Sequence, residues 1–112
     1  MGVEKVKASV SDVVSEKRFL RKLINVKLKE LGVKLPAGFT ITIRLAPITH
    51  PRSPLMWKID MPVCPRFLSD AMESLFLYLG REFDATPCTT PSMTSFYIFI
   101  EREKIREKMG TM

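Results

Sequence analysis

The sequence predicts an α+β fold: a two-layer sandwich in the order α-β-β-α-β, with two helices on one face of a three-stranded, mostly antiparallel sheet. Three observations predict it. Residues 15–31 carry a Leu/Ile stripe at helical spacing, residues 39–45 and 55–61 alternate strictly between apolar and polar, and residues 65–83 present a second wide apolar helical face before a short β-rich run.

In the first helix Leu20, Leu23, Ile24, Leu28 and Leu31 form the stripe, while Arg18, Arg21, Lys22, Asn25 and Lys29 fall on the opposite side. Its start is expected at Ser11 or Asp12, whose side chains accept hydrogen bonds from the free amides of a first turn. Its end is expected at Gly32, a residue suited to positive φ. Pro36 and Gly38 then break the chain.

In 39–45, Phe39, Ile41, Ile43 and Leu45 point one way and Thr40, Thr42 and Arg44 the other. Residues 46–54 contain three prolines and read as a loop. Residues 55–61 alternate again, with Leu55, Trp57, Ile59 and Met61 opposite Met56, Lys58 and Asp60, so the two strands form a hairpin with a Pro-stiffened tip. Pro65 suits the first position of the second helix, where its missing N–H has no partner to lose. Leu68, Met72, Leu75 and Leu79 line that helix, and Gly80 is expected to loosen its last turn. Residues 85–94 read as a Pro/Thr/Ser loop. Residues 95–100, apolar on both sides, read as a strand flanked by neighbours or covered on both faces. If it lies beside the first strand, the order is 2-1-3, and the crossover through the second helix is expected to be right-handed.

At 112 residues the chain is one domain, able to bury about two-thirds of its unfolded surface. Residues 1–10 are expected to be a flexible N-terminus, 11–101 the folded domain, and 102–112 a charged tail able to extend as a short solvated helix. Eighteen Lys and Arg against twelve Asp and Glu give +6, which favours an acidic partner such as nucleic acid or an acidic protein surface. The chain has no signal-peptide core and no apolar run near the roughly 20 residues that cross a bilayer. The expectation is a cytoplasmic or nuclear protein without membrane attachment, and two well-separated cysteines suit that reducing setting.

Two helices on one face leave the other face of the sheet open. If Phe96, Ile98 and Ile100 join the core, that face displays Tyr97 and Phe99 beside Thr40, Thr42, Arg44, Met56 and Lys58. Two aromatics flanked by cations make a platform on which unpaired bases stack. Tyr97, Phe99, Arg44 and Lys58 are therefore the candidate nucleic-acid-binding residues. Arg52 assists from the hairpin tip, and Arg18, Arg21, Lys22 and Lys29 add phosphate contacts from the first helix. The alternative is a protein-interaction, assembly or inhibitor module, homodimeric through the same face. A third reading has the tail covering that face through Ile105 and Met109. The element order resembles the beginning of the second KH-type topology, whose Gly-x-x-Gly loop is absent, and no RNP-type consensus surrounds 96–100.

Catalysis finds little support. His50 stands alone in a Pro-flanked loop. Cys64, beside Pro65 and Arg66 at the expected start of a helix, has the setting that lowers a thiol pKa, set against ordinary burial of a small apolar side chain. Cys64, Cys88 and His50 are too few for a zinc site. Gly-rich phosphate loops, paired carboxylates and nucleophile elbows are missing. The reading is a non-enzyme that needs no metal or cofactor and binds single-stranded nucleic acid or RNA in preference to a specific duplex.

Overall fold

The computed structural model describes residues 2–47 and 55–111. Helix α1 (Gly2–Glu30) precedes a hairpin of β1 (Thr42–Pro47) and β2 (Leu55–Met61). A 3-10 turn (Arg66–Leu68) leads into α2 (Ser69–Phe83). Strand β3 (Cys88–Thr89), strand β4 (Phe96–Glu101) and helix α3 (Arg102–Thr111) follow. The chain is α+β, and the described residues form four strands and three α-helices where the sequence suggested three and two.

Helix α1 begins well before Ser11, because no proline or glycine lies between Val3 and Leu31 to break it and Ser and Asp are tolerated within a helix. Its end follows expectation. Gly32 sits at φ +68, Val33 N–H donates to Leu28 O at 2.9 Å and Gly32 N–H to Lys29 O at 3.1 Å. These are the paired bonds of a Schellman cap.

Strand β1 lies closer to the hairpin tip than the alternation suggested. Pairing runs from Thr42↔Asp60 to Pro47↔Leu55, so Phe39 to Ile41 find no partner once β2 gives way at Pro62. The sheet order is β1-β2-β4-β3, all antiparallel, which corrects the expected 2-1-3. β4 is apolar on both sides and takes the flanked position between β2 and β3. Thr42, Arg44 and Pro47 leave β1 tolerant of an edge. Because β2 and β4 are antiparallel, the handedness rule for parallel crossovers does not govern the α2 connection.

One row of the sheet, Ile43, Trp57, Ile59, Met61, Phe96, Ile98 and Ile100, joins a single buried cluster. α1 supplies Leu20, Ile24 and Leu28 to it, and α2 supplies Met72, Leu75, Phe76 and Leu79. α3 adds the fully buried Ile105, with Met109 packed alongside. The C-terminal segment is thus part of the core on the helical side, neither a solvated tail nor a cover for the open face. Lys104 bonds Asp84 at 3.2 Å, and Lys108 lies 3.8 Å from Glu82, tying α3 to the end of α2.

Two prolyl and glycyl expectations also change. Pro65 (φ −67, ψ 149) stands just outside the 3-10 turn and not inside an α-helix. Gly80 is buried within α2, where a Cβ would meet the Ala85 carbonyl oxygen at 2.7 Å. It admits the chain crossing back over the helix and does not loosen it.

Candidate nucleic-acid interface

Strand pleat places alternate residues on opposite sides of the sheet, so burial of Ile43, Ile59 and Ile98 turns their neighbours outward. Arg44, Lys58 and Phe99 face one another across three strands, and Thr42, Asp60, Tyr97 and Cys88 form the next row across four. Four residues singled out from sequence, Arg44, Lys58, Tyr97 and Phe99, therefore share one surface.

The Tyr97 and Phe99 rings meet edge to face, with centroids 6.0 Å apart and planes at 82°. The Lys58 ammonium lies over both, 5.4 Å from the Tyr97 centroid and 5.7 Å from that of Phe99. Tyr97 is 39% exposed and Phe99 is half-buried. Cys88 stands opposite Tyr97 across β3 and β4, and hydrogen bonding with its thiol raises the phenol pKa above its ordinary value. The same surface carries two carboxylates, Asp60 in the Tyr97 row and Glu101 opposite Met56. The Thr42 hydroxyl donates to Asp60 Oδ1. Arg44 and Lys58 are thus balanced by Asp60 and Glu101, and the platform is aromatic without being strongly basic.

The positive charge lies elsewhere. Seven of the eighteen basic residues and one of the twelve acidic ones fall between Lys17 and Lys34. That stretch alone carries the net +6 of the chain, and the rest balances. Arg18, Lys22 and Lys29 are exposed along α1, as expected. Arg21 is drawn toward the sheet, where its Nη1 donates to Ile41 O at 3.1 Å just before β1. Lys27 covers the Tyr78 ring at 4.8 Å and joins α1 to α2. Arg52 and His50 lie outside the described residues.

Glu16, one residue before the basic stretch of α1, is completely buried. Trp57 Nε1 donates to its Oε1 at 2.8 Å, and Arg102 grips both oxygens, Nε at 2.9 Å and Nη2 at 3.1 Å. Arg106 approaches to 3.9 Å. The hydrogen bond to Glu16 holds the Arg102 guanidinium pKa above its ordinary value. A signal was present: Glu16 lies four residues before Leu20 and eight before Ile24, on the apolar line of the helix, and a buried Trp N–H needs an acceptor.

Cys64 is buried between β2 and the 3-10 turn, its thiol directed to Pro65 O at 3.5 Å. Desolvation raises its pKa, the reverse of what an activated nucleophile needs. Among the described residues, no three of His, Cys, Asp and Glu gather as metal ligands, and no helix is long and apolar enough to cross a membrane. The described residues thus present an aromatic sheet face and a cationic helix ridge, and no protein-family model, curated protein or solved structure matches this chain.

Proposed function

We propose that this is a non-catalytic domain that binds single-stranded nucleic acid, RNA included, on the open face of its sheet. The observation that carries the reading is the Lys58 ammonium poised over the paired Tyr97 and Phe99 rings. Ring faces that attract a cation also stack bases, and the flexible Lys58 side chain can swing from the rings to the phosphates of a stacked strand. Arg44, across from Lys58, supplies a second donor.

Trp57 faces the helices, so a labelled oligonucleotide is the better reporter. Fluorescence anisotropy of a short single-stranded RNA is expected to rise on adding the protein at low salt. At roughly 1–3 kcal/mol per stacked base, changing Tyr97→Ala together with Phe99→Ala should weaken binding by at least about tenfold, with circular dichroism unchanged. Equal affinity of the folded double variant would remove the reading.

One observation favours a second reading, a homodimer through the same face. The surface carries both signs, Arg44 and Lys58 beside Asp60 and Glu101, and an isologous interface must be self-complementary. A light-scattering mass of two chains that falls to one in Lys58→Glu, with no response to RNA, would select it.

A further inference from the structure

We infer that the domain holds two segments of nucleic acid at once, one on the sheet face and a second along the outer ridge of α1, and so bridges strands. The inference rests on the single-strand reading above and extends it to a second site and a bridging activity.

The ridge is a separate surface with different chemistry. Arg18, Lys22, Asn25 and Lys29 recur at steps of four, three and four residues, which keeps them on one line of the helix and spans about 16 Å along its axis. All four are exposed. Lys17 flanks the line and Lys34 extends it beyond Gly32. Glu30 is the lone carboxylate of the stretch, and Glu16, just before it, is withdrawn into the core by Trp57 and Arg102. Such a row meets phosphates without reading bases.

The ridge and the rings face opposite ways. Leu20, Ile24 and Leu28 turn the inner side of α1 into the cluster with Ile43, Ile59 and Ile98, while Tyr97 and Phe99 project from the reverse of the sheet. A strand a few nucleotides long cannot lie on both. The surfaces are also complementary in what each lacks: the platform stacks but is charge-balanced, and the ridge is cationic but carries no aromatic ring. An anionic membrane is the less suitable partner for the ridge. An interfacial helix must offer a continuous apolar face to the lipid, and between Asp12 and Glu30 the face that carries Leu20, Ile24 and Leu28 is already spent on the core, leaving only Val14 and Val26 as exposed apolar residues.

Two non-complementary RNAs of about six nucleotides, one carrying a donor dye and one an acceptor, test this directly. The wild-type protein should bind two oligonucleotides per chain and produce energy transfer. The change Arg18→Gln, Lys22→Gln, Lys29→Gln should abolish the transfer and leave one oligonucleotide bound, still sensitive to Tyr97→Ala with Phe99→Ala. Raising salt on the unmodified protein should release the ridge segment first, which gives a readout independent of any variant. One oligonucleotide per chain in the wild type would overturn the bridging inference and leave the single-strand reading intact. So would energy transfer that survives the triple change, or that comes from a two-chain species with one RNA on each chain. A ridge that loses phosphatidylserine vesicles and not RNA on the triple change would overturn it as well. No oligonucleotide binding at all would overturn both readings.

Discussion

Trp57 and Glu16 share a hydrogen bond of 2.8 Å in the interior of the protein, indole N–H to carboxylate, with no access to water for the acid. Arg102 completes the carboxylate from α3, so three elements distant in sequence meet at one buried charge. Removing one partner of such a pair leaves the others uncompensated, which costs roughly 3–5 kcal/mol. Glu16→Ala should lose about that much stability in urea unfolding, and Trp57 fluorescence should change in the native state. Glu16→Gln, which keeps an acceptor for the indole but strips Arg102 of its counter-charge, should fall between the two. A loss below about 1 kcal/mol for Glu16→Ala would mean that the pair contributes no more than a surface one.

Ile105 has no exposed surface and belongs to the main cluster. Ile105→Ala should therefore cost about 2–5 kcal/mol, as large-to-small changes in a core do. Denaturant titration checks it, and a cost near zero would restore the solvated tail that the charge pattern of 102–112 suggests.

Glycine positions separate cleanly. A Cβ at Gly80 would stand 2.7 Å from the Ala85 carbonyl and 3.0 Å from the Pro87 ring, whereas one at Gly110 meets nothing within 4 Å. Gly80→Ala should destabilise by roughly 1–3 kcal/mol. Gly110→Ala, in the exposed last turn of α3, should be neutral or stabilising by up to about 0.5–1 kcal/mol. Paired thermal melts read the contrast, and equal shifts in the two would be inconsistent with the close approach at Gly80.

The buried Cys64 thiol keeps its proton beyond the ordinary value of 9.0. In the unfolded chain it ionises normally, so above pH 9.0 the folded state binds more protons at this site than the unfolded one. With respect to this group, stability is level below that pH and declines as the pH climbs toward the raised folded value. Cys64→Ala should flatten that decline. In a thiol-reagent time course near neutral pH, Cys88, half-exposed on β3, should react first, and Cys64 only as the protein unfolds. Equal rates at the two would contradict the burial.

What could be read from sequence follows the range over which each signal acts. Local periodicity found β2 to the residue and brought Arg44, Lys58, Tyr97 and Phe99 to one face, because side-chain alternation is a property of each strand alone. Strand order lies beyond that range. The choice of β2 over β1 as the partner of β4 depends on which edge is left for the solvent, and two-residue β3 has no period to detect. The net charge was visible from the start, but its concentration between Lys17 and Lys34 acquired meaning only when Glu16 was found inside the protein. Asp60 and Glu101 were likewise in plain sight, yet their effect on the platform emerged from cross-strand register.

The clasp between Glu16 and Arg102 spans 86 positions of the chain. The contact joins α1 to α3, the first and last described helices, across the whole fold. Without α3 the carboxylate beside Trp57 would lose its guanidinium partner, so the last helix is what lets α1 lie on the sheet with a buried acid.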